Sequence, residues 1–587
     1  MISSYEDVAR RISVKVSDAI AEFISRMGTL DVFGVSGGAS LHLLDSIRRH
    51  PALNLVCVHH EQTVAMAAET YSRLTNRLGV GITTSGPGAT NLVTGIAGAF
   101  YDSVPCLFIT GQVSTTRMKG ELGVRQIGFQ ETPIVEIVQS ITKLAITVNA
   151  PEEVLPTLKL ALDAAVSGRP GPVLVDIPDN IQRMEILDEK YFGELEFHKI
   201  QVEGDFTEEF ELFTELLSKS KKPIIVCGAG VRASKKYESI VKKIENANIP
   251  VALTWGAKDL FSGSNEMILG TFGTHGIRKV NIALEACDLV ISIGSRLDLK
   301  ATGSPASSFA PRAKKIMFDI DLQEIEKFKQ FDLDIDLPIC IDLASIQFDS
   351  FLEILSNFEF KIDPWRSELS ALSNSLNDEP RNFESAGVNP YRFITELSER
   401  VSGSTNVVID TGCAIAWTMQ EWRVKNGQRL IHDFNNTAMG WSIPATLASL
   451  LVSRERKTVC LVGDGSLMMA LNDLPTISNN GGPVIIFLLN NGGYSMIKQT
   501  QDQWFEGEYF ASSSITDLHF TNYELLSKAN NFMYFKIENE SEIYSTLNEV
   551  LRSDDPIFCE VVIQSDARVI PIVKFGKPNH LMDPELQ

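Results

Sequence analysis

The chain is predicted to be an α/β protein of three doubly wound parallel-sheet domains. Apolar strand-like runs alternate with helical patterns through most of its length. Its 587 residues are also too many for a single hydrophobic core. The first domain is placed at residues 12–185, closing with Gly168-Arg169-Pro170-Gly171-Pro172 and the strand Val173-Leu174-Val175. A polar, acidic connection runs from Glu185 to about Glu209. The second domain is placed at 200–362, its first strand being Ile224-Ile225-Val226-Cys227. A polar helical segment from about Asp363 to Gly387 leads into the third domain, 388–570. The tail, 571–587, reads as a disordered end by default, with a flexible arm or lid as the alternative.

The composition narrows the function class. A net charge of −21 argues against nucleic acid or an anionic membrane as the main partner. Eight scattered cysteines, with no CxxC pair and no His/Cys cluster at zinc spacing, read as reduced core thiols. No apolar run reaches spanning length and the first residues are charged, so a cytoplasmic chain is expected.

In the first domain, Leu55 to Gln62 reads as a strand delivering Glu61 to a helix start, directly after His60. Taken alone, that glutamate reads equally well as a helix N-terminal carboxylate. Thr84-Ser85-Gly86-Pro87-Gly88-Ala89-Thr90-Asn91 is a tight glycine-rich turn running into a helix. Asp102-Ser103-Val104-Pro105, a strand from Leu107 to Thr110, Phe129-Gln130-Glu131-Thr132-Pro133 and Ser140-Ile141-Thr142-Lys143 follow.

The third domain carries the strongest motif. Gly463-Asp464-Gly465 follows the strand Val459-Cys460-Leu461-Val462, and Asn490-Asn491 comes twenty-four residues later, at the end of an apolar strand. Asp464 and the side-chain carbonyl of Asn491 are hard oxygen ligands of the kind Mg²⁺ prefers, and a diphosphate would supply others. The glycines let backbone approach phosphate, and a helix beginning at Ser466 would favour negative charge.

Together these motifs resemble the acetolactate synthase family of thiamine-diphosphate (ThDP) enzymes, over nearly the whole chain and in all three domains. The resemblance implies a pyrimidine-binding, a central and a pyrophosphate-binding domain, with active sites formed between subunits of a homodimer or homotetramer. It makes Glu61 the catalytic acid: a carboxyl group on the cofactor's pyrimidine promotes the tautomer that removes the thiazolium proton. Met439 would wedge between the two cofactor rings and bring them together. Gly37, Gly38, Gly412 and Met496 match cofactor-lining positions, and Gly493 would offer a carbonyl to the metal. His60, Gln130 and Lys143 match residues near the reaction path. In the central domain the resemblance implies FAD. Its contacts would be Gly228 and Gly230 in the turn after the first strand, His275 in Gly273-Thr274-His275-Gly276, Arg296 and Asp298 in Gly294-Ser295-Arg296-Leu297-Asp298, and Asp319 at a strand end.

Two departures bear on the substrate. Acetolactate synthases read Phe-Asp-Asp-Arg after the position of Arg296, the last arginine holding the acceptor's carboxylate. Here Leu297-Asp298-Leu299-Lys300 keeps a charge but loses the bidentate fork. Thr500 stands where those synthases carry a tryptophan, with Trp504 one helical turn on, and an insertion between Met118 and Phe129 adds to the pocket rim. Phe129, Lys300, Thr500 and Trp504 are thus the acceptor-pocket residues. A wider pocket with weaker selection for carboxylate resembles the yersiniose-type branched-sugar carboligases, which join pyruvate to a nucleotide-linked 4-keto-deoxysugar. The alternatives are an acetolactate synthase condensing two pyruvates and, remotely, a non-catalytic paralogue.

Overall fold

The computed structural model describes residues 13–187, 204–376 and 379–585. Most of the acidic connection lies outside the described residues. Three six-stranded sheets, parallel throughout, form the scaffold. The first holds β1 (Asp31–Gly34), β2 (Asn54–Cys57), β3 (Gly79–Thr83), β4 (Cys106–Gln112), β5 (Leu144–Thr147) and β6 (Val173–Pro178), in the order β2-β1-β3-β4-β6-β5. The central sheet holds β7 (Pro223–Cys227), β8 (Val251–Leu253), β9 (Ile268–Thr271), β10 (Leu289–Ile293), β11 (Lys314–Asp319) and β12 (Leu337–Cys340), in the order β9-β8-β7-β10-β11-β12. The third holds β13 (Asn406–Ile409), β14 (Arg429–Ile431), β15 (Thr458–Gly463), β16 (Val484–Asn490), β17 (Met533–Ile537) and β18 (Ile557–Val562), in the order β14-β13-β15-β16-β18-β17.

The first and third sheets therefore share one topology. Each reverses its winding between its first and third strands, and the central sheet reverses between β7 and β10. In such sheets ligands bind outside the carboxyl ends of the strands at the reversal. The strands are apolar along their length because helices cover both faces; in β16 every residue from Val484 to Leu489 is buried.

Four helices position the site: α1 (Glu61–Thr75), α2 (Cys413–Glu421), α3 (Ser442–Val452) and α4 (Ser495–Trp504). Helix α1 packs on α3, joining the first and third domains of one chain through Val64, Ala65 and Ala68 against Ile443, Leu447 and Ala448. The small residues let the helices approach closely.

Two regions differ from the sequence expectation. Helix Asp363–Ser375, read as a connection, packs Trp365 and Leu369 into the core of the central domain. The tail is ordered: Ile572–Val573 pairs with Met582–Asp583, Val573 N–H donates to the Thr274 carbonyl, and Arg278 donates to the carbonyls of Met582 and Pro584. A guanidinium that is 5% exposed needs these acceptors, which is why a polar tail docks. All eight cysteines are free thiols, six of them buried. Among the described residues no helix is long and apolar enough to cross a membrane.

Candidate active site

At the reversal of the first sheet, the loops after β1, β2 and β3 converge. Glu61 begins α1, half-buried, and its Oε2 accepts from Asn91 Nδ2 at 2.9 Å. A Cβ on Gly88 would stand 3.5 Å from Glu61 Oε1, and one on Gly37 only 2.4 Å from the Thr84 side chain. Gly86, at φ +63°, lets the turn close on Gln130, which itself adopts φ +64°. Gly37, Glu61, Asn91 and Gln130 therefore share one crevice. Gly38 faces open space beside it. His60 caps α1, its Nδ1 accepting from Gln62 N–H at 3.1 Å. Lys143 is not brought into this group. It stands just before β5, at the sheet's amino edge, and donates to the Ser167 carbonyl. Phe129 is 85% exposed on a loop whose amides at Lys119, Ile127 and Gly128 are gathered by the Glu131 carboxylate.

At the matching reversal of the third sheet, Asp464 is 1% exposed, and desolvation pushes its carboxyl up to about 6. Its Oδ1 accepts from Gly465 N–H at 2.7 Å and its Oδ2 from Gly493 N–H at 3.0 Å, which ties the two loops together. Asn491 Oδ1 is buried with no hydrogen-bond partner among the described residues, a rare and unfavourable state for an amide oxygen. Gly412 and Gly463 face open space where a side chain would stand. An orphaned acceptor beside a buried carboxylate, next to an open cradle of glycines, fits a metal-bound diphosphate. Gly465 is glycine for a second reason: a Cβ there would stand 2.0 Å from the Tyr494 ring.

The element after the glycines differs from the sequence reading. Asp464–Leu467 is a single helical turn, in which Ser466 is buried, and not the start of a long helix. The helix N-terminus at this crevice belongs instead to α2, directly after Gly412 at φ +74°. Met496, half-buried, packs against the third-domain core at the start of α4.

Met439 rides on the loop between β14 and α3, pinned along its length by buried carboxylates. Asp102 accepts from the amides of Phe434 and Asn435, Asp433 from those of Asn436 and Ala438, and Asp410 from those of Gly440 and Ser442. Arg73 bridges Glu69 and Asp102 and donates to the His432 carbonyl at 2.9 Å, while Trp441 Nε1 donates to Glu69 at 2.9 Å. Burial pushes Glu69 up to about 7 and Asp102 up to about 6. Among the described residues no hydrogen bond joins Glu61 to Asp464, Asn491 or Met439. The hydrogen bonds from the start of α1 to the third domain run from the His59 amide and the Thr63 hydroxyl to Asp473.

The central-domain residues all lie at the carboxyl edge of their sheet. The amides of Gly228 and Gly230 donate to the carbonyls of Ile293 and Gly294, and a Cβ on Gly228 would stand 2.2 Å from the Gly294 oxygen. These glycines are thus required by the close approach of two backbone turns, and neither amide is free for a pyrophosphate. Arg296 Nε is buried without a hydrogen bond among the described residues and lies 3.7 Å from the Asp298 carboxylate, which also caps helix Leu299–Thr302. Asp319 is pushed up to about 6 by burial. His275 is half-buried and pulled down to about 4, with the Lys300 ammonium adding to the effect of desolvation. Lys300 lies over the Trp255 ring at 5.6 Å.

On α4, the Thr500 hydroxyl is turned back onto the Met496 carbonyl and its side chain is exposed. Trp504 lies one turn further along the same helix face, its ring 6.1 Å from Phe575 of the tail. Asn91, Arg73 and Asp410 bond to candidate residues or to the loop that carries Met439, and the sequence did not mark them as site residues. Asn91 ends the glycine-rich turn Thr84–Asn91 and Asp410 stands two residues before Gly412, and those positions were the available signal. Lys498 is also close by, buried on the inner face of α4.

Comparison with known proteins agrees with this geometry. Residues 14–137 match the profile described as the thiamine pyrophosphate enzyme N-terminal TPP binding domain, 211–346 the central domain and 410–561 the C-terminal TPP binding domain. The chain is 32% identical over 581 residues to acetolactate synthase 2 of Nicotiana tabacum, covering 96% of this chain and 84% of the relative. It is 30% identical over 564 residues to the acetolactate synthase large subunit of Lactococcus lactis, covering 95% and 94%. It is likewise 30% identical over 569 residues to the isozyme 2 large subunit of Escherichia coli, covering 96% and 98%.

Proposed function

The chain belongs to the acetolactate synthase-like family of thiamine-diphosphate enzymes, and on that premise we propose that it decarboxylates pyruvate and transfers the two-carbon hydroxyethyl unit to a carbonyl acceptor, a nucleotide-linked 4-keto-deoxysugar. Bound ThDP supplies the nucleophilic carbon and the electron sink that decarboxylation requires. Asp464, Asn491 and the Gly493 carbonyl hold the Mg²⁺ that anchors the diphosphate, with Gly412, Gly463, Gly465 and Ser466 lining it. Met439, held by its pinned loop, would support the two cofactor rings. Glu61, oriented by Asn91, holds and exchanges the proton at the pyrimidine nitrogen, and Gln130 and His60 flank the entering keto acid.

A homodimer is part of the proposal. Glu61 shares no hydrogen bond with the Asp464 or Met439 groups of its own chain, and Leu122, Val124, Ile127 and Phe129 form an exposed apolar strip beside it. A second copy would cover that strip and complete the cofactor site. FAD in the central domain is the less supported part. Arg296, whose Nε lacks a hydrogen bond among the described residues, and Asp298, His275 and Asp319 at the same sheet edge are the residues to hold it, whereas the Gly228 and Gly230 amides are already used.

The observation that carries the acceptor assignment is Thr500: a short, exposed side chain bonded to its own helix, with the nearest tryptophan along α4, Trp504, engaged by Phe575 of the tail. The test is to incubate the protein with labelled pyruvate, ThDP and Mg²⁺, with and without a nucleotide-linked 4-keto-6-deoxysugar. Two-carbon transfer to the sugar is expected. Rapid acetolactate formation from pyruvate alone, unaffected by the sugar, would establish the second reading, acetolactate synthase, which the names of the relatives favour.

A further inference from the structure

Lys498 is 5% exposed, in the first turn of α4. A cation there opposes the helix dipole, and a buried ammonium without a counter-charge is unfavourable. Its only hydrogen-bond acceptor among the described residues is the Gly492 carbonyl, at 3.5 Å, and no carboxylate lies within ion-pair distance of it. The neighbouring cation, Arg568, is by contrast neutralised by Asp502 at 2.6 Å. The Lys498 Nζ stands 3.0 Å from where a Cβ on Gly493 would be, so the ammonium fills the space that a side chain at 493 would take. It therefore sits against the loop that carries two of the predicted metal ligands, with the Asp464 carboxylate close enough to feel its charge.

The charge of the expected ligand explains such a placement. A fully ionised diphosphate brings about three negative charges and Mg²⁺ two positive ones, so with Asp464 the pocket would keep a net charge of about −2. We propose that Lys498 is a cofactor-binding residue, its ammonium pairing with the diphosphate of ThDP and offsetting the charge that Mg²⁺ leaves. This rests on the ThDP reading above. It adds a contact that the metal ligands do not supply.

The experiment measures binding, not turnover. ThDP and thiamine monophosphate are titrated with Mg²⁺ in excess, reading tryptophan fluorescence quenching, on the parent and on Lys498→Met, which keeps the volume and removes the charge. A charge-assisted contact to phosphate predicts roughly 10–100-fold weaker ThDP binding, with a clearly smaller loss for the monophosphate. Equal losses for both ligands would mean that Lys498 merely supports the loop, and no loss would leave it without a role; either overturns the proposal. On the parent protein, a crystal structure with ThDP and Mg²⁺ should place the Lys498 Nζ within about 3.5 Å of a diphosphate oxygen, and a clearly longer separation would refute the contact even if the variant failed to fold. A parent that binds no ThDP at all would instead remove the functional reading itself.

Discussion

Replacing Arg73 by methionine tests whether buried charge holds the Met439 loop and the contact between the first and third domains. The side chain is 12% exposed and serves two carboxylates, Glu69 and Asp102, whose own side chains are fully buried. Arg73→Met removes three hydrogen-bonded contacts and leaves two buried acids without their cation. Breaking a buried ion pair from one side destabilises by about 3–5 kcal/mol. The acids can escape by taking up protons, and holding one proton at pH 7 against an ordinary glutamate value costs about 3.4 kcal/mol, in the same range. The loss must therefore depend on pH. Even with Arg73 present, burial raises Glu69 to about 7 and Asp102 to about 6. Stability linked to their protonated forms is complete below the unfolded values, 4.5 and 3.8, and is lost as pH rises through 6 and 7. Removing the arginine pushes both acids further up, so the variant's deficit should be larger at pH 8 than at pH 5. The assay is urea unfolding followed by Trp441, whose indole donates to Glu69. With a slope of roughly 2–3 kcal/mol per molar urea, the midpoint should fall by about 1–2 M at pH 8. A midpoint indistinguishable from the parent at both pH values would show that apolar packing of α1 on α3 holds the interface without the ion network.

Further outcomes follow from the same geometry. Asn491→Ala removes the orphaned oxygen and should weaken ThDP binding in Mg²⁺ at least about tenfold by calorimetry, near 1.4 kcal/mol; unchanged affinity would take Asn491 out of the metal shell. Glu61→Gln should lower kcat by roughly 10²–10⁴-fold while ThDP affinity stays within a few-fold, and full turnover would exclude Glu61 as the proton-exchanging acid. Thr500→Trp should narrow the range of acceptors, read as the ratio of kcat/KM for a sugar against pyruvate, and an unaltered ratio would move the acceptor pocket away from α4.

The three sheets were legible because buried parallel strands are written as unbroken apolar runs, as in Val484–Leu489 or Leu289–Ile293. The glycine-lined crevice of the third domain was legible for a related reason: glycine and asparagine at strand ends mark where backbone must come close to something. The limits came from two sources. Glycine reports a close approach but not its partner, so Gly228 and Gly230, which resembled a ligand turn, are accounted for by Gly294 and Ser295 across the sheet. Long-range partners leave no local pattern. Nothing around Arg73 announces Asp102 or the loop after β14, and nothing around residue 582 announces Arg278. Lys498 shows the same blindness, since a lysine in a polar helix reads as surface until the loop before it folds back over it.

The docked chain end links parts of the molecule that are remote in sequence. Arg278 opens its helix by gripping Met582 and Pro584 on one side and Glu379, beyond the central domain, on the other. Asn579 meanwhile donates to Ala301 beside the Lys300 turn. Clipping this clasp would thus loosen the middle of the protein before its end, and amide exchange around His275 and Lys300 would register the cut. A perturbation at Met582 or Pro584 would thus reach the Thr274 and Lys300 turns at the carboxyl edge of the central sheet.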